Sequence, residues 1–244
     1  MSSLINYTLH LADNVLILGQ RNGEWCGHGP VLEQDIALTN ITLDLVGQAR
    51  SLYQYAAQLK ADGSTEDSLA YLRKEREFLN CLLVEQPNGD WARTILRQFL
   101  FSAYQFNLYQ ALQKSPDNTL RAIAEKSLKE VRYHLRWSSE WVIRLGDGTE
   151  ESHRRMEAAI GDLWPYTGEL FLPAPYETEP GVDPSTLREA WSEKINTVFE
   201  EATLSVPAGI FNQQGGKTGI HTEHLGYVLA DLQYLQRTYP GAEW

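Results

Sequence analysis

An all-α chain is what the sequence predicts. Apolar residues recur at steps of three and four over long stretches, Gly, Pro and Asn punctuate them at short intervals, and no segment alternates with the two-residue period of a strand. The expected core is an antiparallel helical bundle over about 30–146 with further helices at about 3–19, 149–164, 184–204 and 222–238, all in one domain spanning 1–244.

The elements follow in order. Tyr7, Leu11, Val15 and Leu18 share one helical face, so a first helix should end before Arg21-Asn22-Gly23. After a Gly-rich link from Gly23 to Gly29, Pro30 suits the first turn of a helix over about 30–61, with Leu38, Ile41, Leu45, Ala49, Leu52, Ala56 and Leu59 as a continuous stripe. Asp62-Gly63-Ser64 closes it, and Glu66 and Asp67 complement the positive end of a helix reaching about Gln86, where Pro87-Asn88-Gly89 intervenes. The stretch over about 90–113 is rich in aromatics, including Trp91, Phe99, Phe101, Tyr104, Phe106 and Tyr109, and should pack on several sides. Ser115-Pro116-Asp117-Asn118 separates it from a helix that runs to Leu145 before Gly146-Asp147-Gly148. Later, Asp183 caps a helix with Pro184 in its first turn. The Pro-rich stretch 165–182 and the Gly-containing stretch 205–220 read as loops that contact a partner.

Bulk chemistry narrows the function. With 32 acidic against 21 basic side chains the formal charge is −11, which repels a phosphate backbone, so no nucleic-acid partner is expected. Cys26 and Cys81 are too few for a disulfide framework and too far apart for a zinc or redox motif, which fits a reducing compartment. No basic stretch followed by an apolar run opens the sequence, and no window approaches the roughly 20 apolar residues that span a bilayer. A cytoplasmic protein without membrane contact is the expectation.

Candidate functional residues are ionisable side chains on apolar helical faces. Asp44 falls between Ile36 and Leu43 on one side and Ile41, Leu45 and Leu52 on the other; Glu75 shares a sector with Tyr71, Leu72, Phe78, Leu79 and Leu82, while Arg73 and Glu77 point away. Glu130 and His134 lie one turn apart, in line with Ile123, Trp137 and Trp141. Burying an unpaired carboxylate is costly, so these four should pair with one another, with arginine or with a metal. A carboxylate-bridged di-iron bundle needs a Glu from each of two helices and a Glu-x-x-His from each of the other two. Here Glu75 is followed three residues on by Phe78 and Glu130 by Tyr133, and no Asp, Glu or His stands between Asp90 and Asp117. A hydrogen-bonded polar cluster, the remnant of a metal site with no metal or catalytic residue, is therefore expected; a mononuclear site on His134 is the intermediate reading. His221-Thr222-Glu223-His224 resembles a ligand set but sits at a helix start, where Thr222 caps and Glu223 favours the dipole.

Several stretches carry a resemblance: Gly23-Glu24-Trp25-Cys26-Gly27-His28, Leu43-Asp44-Leu45-Val46-Gly47-Gln48-Ala49-Arg50, Leu83-Val84-Glu85-Gln86-Pro87-Asn88-Gly89, Lys129-Glu130-Val131-Arg132-Tyr133-His134-Leu135-Arg136 and His221-Thr222-Glu223-His224-Leu225-Gly226. Along almost its whole length the chain resembles the C subunits of the bacterial phenylacetyl-CoA epoxidase, a multicomponent ring monooxygenase. The resemblance implies a ferritin-like four-helix bundle with additional C-terminal helices. It implies a non-catalytic subunit that pairs with a homologous catalytic A subunit, keeps it folded and assembles with the other epoxidase subunits. The di-iron centre then belongs to the A subunit and the NADPH, FAD and iron–sulfur cluster to a reductase, with no cofactor on this chain. A homodimer of the isolated chain is compatible with that role. Two other functions stand beside it, a metal-dependent oxygenase in its own right and a free-standing helical adaptor.

Overall fold

The computed structural model describes residues 2–177, 181–209 and 211–242, and among these every regular element is helical. The contacts group into two compact units, each built from more than one stretch of chain.

The first unit takes Met1–Gln86, Ala174–Glu179 and Gly215–Trp244. Helix α1 (Ser2–Gly23) packs along α2 (Leu32–Lys60), with α3 (Glu66–Tyr71), α4 (Leu82–Glu85) and α9 (Glu223–Thr238) set around them. The α1 helix runs through Arg21 rather than stopping before it, because the Arg21 guanidinium reaches the Glu85 carbonyl from Nε (3.1 Å) and Nη2 (3.0 Å) and holds the last turn in place. Between Tyr7 and Leu18 every residue of α1 is buried.

The long helix expected over 66–86 is not formed. It is broken into α3, a 3₁₀ turn at Glu75–Glu77, an extended stretch and α4. The cause is tertiary: the Leu79 N–H donates to Asp13 Oδ2 (2.8 Å), the Cys81 N–H to Asn14 Oδ1 (2.8 Å), and the Leu79 carbonyl lies 2.7 Å from His10 Nδ1. Polar side chains of α1 take backbone groups that a helix would have paired internally. Close beneath this stretch, a Cβ at Gly216 would lie 2.2 Å from the Asn80 carbonyl oxygen, so only glycine fits there.

The second unit takes Pro87–Pro173 and Pro180–Gln214. Asp90 caps α5 (Trp91–Leu112) by accepting from the Arg93 N–H, and Asp117 caps α6 (Asn118–Gly146) by accepting from the Thr119 and Leu120 N–H groups. A short link makes the two helices a packed hairpin. Helix α7 (Glu150–Leu163) buries Met156, Ala159, Ile160 and Leu163, and α8 (Arg188–Glu201) follows a 3₁₀ turn with Pro184 at its start. Where α6 ends, Gly146 permits a close approach: a Cβ there would meet the Ala202 carbonyl oxygen at 2.4 Å.

The stretch expected as a partner-contacting loop at 165–182 is largely internal to this unit. Leu170 and Phe171 are buried, with Phe171 against Trp191 at 5.1 Å and Tyr104 at 5.9 Å. Phe211, in the other such stretch, is exposed, whereas Lys217 is buried in the first unit. Residues 178–180 of the one and 210 of the other lie outside the described residues.

Candidate functional site

The four residues expected to form an inward polar cluster occupy different environments. His134 is fully buried on α6 and Glu130, one turn earlier, is half-buried; Asp44 is half-buried on α2. Glu75 is exposed on its 3₁₀ turn, which corrects the expectation that it points inward, while Arg73, expected to point out, is the buried one. With the 66–86 helix broken, the helical wheel that oriented both residues does not exist. Among the described residues no group of three or more His, Cys, Asp or Glu side chains is placed to hold a metal ion. The only charged side chains on α5 are Arg93 and Arg97, and Arg97 is fully buried. A di-iron centre does not fit this donor set, because a buried guanidinium stands on a helix that would have to supply carboxylates.

Among the described residues, the buried charge of the first unit gathers in three networks beside the Arg21–Glu24 pair, and α1 anchors two of them. Asp13, with no exposed side-chain surface, faces Arg73: Nη1 donates to Oδ2 at 3.1 Å and Nη2 donates to Oδ1. Tyr53 Oη donates to the same Oδ1 at 2.5 Å, and the Leu79 N–H completes the set. Arg73 spends its remaining donors on the Leu69 carbonyl (2.6 Å), the Glu77 carbonyl (2.7 Å) and Tyr53 Oη (3.1 Å), and its guanidinium stacks over Phe78 at 4.2 Å. Burial, reinforced by the Asp13 charge, pushes the Tyr53 hydroxyl well up; for Arg73 burial opposes the charge, yet Asp13 and Tyr53 outweigh it and hold the guanidinium protonated.

In the second network Lys217 Nζ donates to both carboxylate oxygens of Glu177, at 3.1 and 3.0 Å, and the Ala174 N–H adds a third bond at 2.7 Å. His10 Nε2 lies 3.6 Å from the same carboxylate. Its Nδ1 faces a carbonyl, which only accepts, so the proton of neutral His10 sits on Nδ1. Burial lowers the His10 pKa, Glu177 works against that, and Lys217 adds to it.

The third network closes on Glu85, which is fully buried. Oε1 accepts from the Thr222 N–H (2.7 Å) and Thr222 Oγ1 (2.8 Å); Oε2 accepts from Asn80 Nδ2 (2.8 Å) and His221 Nδ1 (2.8 Å). The other His221 nitrogen points at the Phe78 carbonyl at 2.9 Å, so both ring nitrogens face acceptors and the ring is an imidazolium. Burial disfavours that charge, but the hydrogen bond to Glu85 and its charge prevail, and the pKa is raised. Thr222 does stand at the N-cap of α9, as its position suggested, but its hydroxyl serves Glu85 rather than the helix backbone.

Chemically these networks hold rather than react. Both His221 nitrogens are engaged, by the Glu85 carboxylate and the Phe78 carbonyl, and Lys217 is committed to Glu177. The residues that matter most, Asp13, Arg73, Glu85 and Glu177, are not found by sequence reasoning. One signal is present: His10, Asp13 and Asn14 form a polar stripe at steps of three and one inside the buried stretch Tyr7–Leu18, whose other residues are apolar apart from Tyr7 and Thr8.

The comparisons with known proteins agree on a single family. The description phenylacetic acid catabolic protein matches residues 1–244. The C subunit of the 1,2-phenylacetyl-CoA epoxidase of Escherichia coli (strain K12) is 52% identical over 249 residues, an alignment that takes in 100% of this chain and 100% of that relative.

Proposed function

Because this chain belongs to the phenylacetic acid catabolic protein family, we propose that it is the structural, non-catalytic subunit of a phenylacetyl-CoA epoxidase. In this role it pairs with a homologous A subunit that holds the di-iron centre, keeps that subunit folded, and works beside the other epoxidase subunits in the cytoplasm. The reductase supplies electrons from NADPH through FAD and an iron–sulfur cluster, and none of these groups is held here.

The observation that carries the reading is the way buried charge is neutralised. Asp13 is matched by Arg73, Glu85 by His221 and Glu177 by Lys217. A unit that lodges these three buried carboxylates on cations of its own has no use for iron at those points and can specialise in shape. The full-length likeness to an epoxidase C subunit supplies the complex in which that shape is used. The candidate cluster fits the same role: Glu130 and His134 remain on α6, but Glu75 is at the surface and α5 brings arginines.

The test is affinity purification of the tagged chain from cells grown on phenylacetate. Recovery of the other epoxidase subunits, with iron in them and not in this chain, is the expected result. Recovery of the chain alone, or of a complex in which oxygen consumption follows this chain, would overturn the assignment.

A further inference from the structure

Helix α2 has two apolar faces; within the first unit one of them is packed, and the other is exposed among the described residues. Leu38, Ile41, Leu45, Leu52 and Ala56 are buried, while on the opposite side Leu32, Ile36, Leu43 and Val46 follow at steps of four, seven and three and are 72%, 51%, 65% and 43% exposed. Val31, just before the helix, extends the stripe at 51% exposure. Scattered single apolar residues are ordinary on a surface, but five aliphatic side chains in one line are a patch. At some 150–200 Å² for a fully exposed aliphatic side chain they present roughly 500 Å², more than half of the ~800 Å² that each partner contributes to a stable interface. An exposed row on α9, Tyr227, Tyr234 and Leu235, carries two hydroxyls that water satisfies; the α2 row has no side-chain polar atom to offer.

Charge around the stripe selects the occupant. Glu33, Asp35 and Asp44 flank it, with Arg50, paired to Glu66 at 3.6 Å, at its C-terminal end. A two-fold antiparallel pairing of two copies that matched Ile36 to Leu43 would bring Glu33 of one copy beside Asp44 of the other, since the two lie on the same side of the stripe, at like-charge cost between two chains that each carry −11. We infer that the outer face of α2, from Val31 to Val46, is the docking surface for a helix of a different chain, one whose apolar stripe has the same spacing and is flanked by Lys or Arg; on the function proposed above, that chain is the catalytic A subunit. The apolar steps are those of side chains interleaving between two packed helices, and the acidic flanks set register and orientation. Asp44, in this arrangement, belongs to the rim of an interface rather than to a buried metal-site remnant.

The test co-expresses the tagged chain with the A subunit encoded for the same epoxidase. The variants are Ile36→Asp/Leu43→Asp and, separately, Asp35→Lys/Asp44→Lys, with Tyr227→Ser/Tyr234→Ser as the comparison on α9. Because the altered α2 apolar side chains are exposed, the Ile36→Asp/Leu43→Asp variant should keep the wild-type melting temperature and helical circular dichroism. Recovery of the A subunit should fall at least ~10-fold for the apolar double variant, fall with a weakened salt dependence for the charge reversal, and hold for the α9 variant. Wild-type recovery with Ile36→Asp/Leu43→Asp would overturn the docking surface and leave the proposed function standing; failure of the wild-type chain to bind the A subunit would overturn both. A homodimer of the isolated chain that this variant abolishes, with A-subunit pairing intact, would make the face a self-interface and also overturn the inference.

Discussion

Replacing Asp13 with Ala removes the acceptor on which three groups converge. Arg73, whose side chain is 9% exposed, would keep its charge with no counter-ion, and losing one member of such a buried pair costs about 3–5 kcal/mol. The Leu79 N–H and the Tyr53 hydroxyl lose their acceptor as well, which raises the total to about 4–6 kcal/mol, short of simple addition because the groups share one network. Set against about 5–15 kcal/mol for a whole folded chain, this removes a large part of the stability. Urea unfolding followed by far-UV circular dichroism would read it as a lower midpoint. The paired variant Asp13→Leu/Arg73→Met removes both charges and should regain most of the loss, leaving about 1–2 kcal/mol for the two orphaned donors. A loss under ~1 kcal/mol for Asp13→Ala, or a double variant no better than the single, would refute the idea that this pair neutralises itself in a dry interior.

Other perturbations should separate the networks. Glu85→Ala leaves the His221 imidazolium and the Thr222 N–H without their acceptor, so amide exchange over the first turn of α9 should accelerate strongly while α5 and α6 stay protected; uniform acceleration, or none, would contradict it. Glu75→Ala, at an exposed position, should shift stability by less than about 0.5 kcal/mol, and a loss of several times that would return Glu75 to the interior. Two histidines act in opposite directions on pH. The His221 pKa is raised above 6.5, so its contribution is complete below 6.5 and fades as pH rises through the folded value; the His10 pKa is lowered, so stability falls as pH drops from 6.5 toward its folded value. Melting temperature should therefore peak near pH 6.5, with His221→Asn flattening the alkaline limb and His10→Asn the acidic one; a monotonic profile unchanged by either variant would contradict it.

Much of the helical layout can be read locally. Helices α5 and α6 start at the breaks that Pro87-Asn88-Gly89 and Ser115-Pro116-Asp117-Asn118 mark, where Asp90 and Asp117 cap them, and α7 forms within the range expected over about 149–164. Two features cannot be read this way. The extended stretch after Phe78 owes its shape to His10, Asp13 and Asn14, more than sixty residues upstream, and no local window contains that pairing. On α2 the sequence shows two apolar faces with Asp44 between them, and periodicity has no means of telling the face that meets this chain's own core from the face that meets something else. Periodicity accordingly places Asp44 inside and overlooks the true buried acids of the first unit, on α1, α4 and the segment just after Ala174. On α6 the apolar context of His134 does mark a buried position, because that helix has one dominant apolar face.

Whether the enclosed carboxylates are answered by the chain's own cations decides between a scaffold and a metalloprotein. Ferrous iron added anaerobically to the purified chain, followed by desalting, metal counting and a thermal melt, puts the question directly. The expected result is iron no higher than in a control with no protein and a melting temperature that does not move, since a ligand that binds the folded state would raise it. A pair of iron ions retained on each chain, with a higher melting temperature, would contradict it.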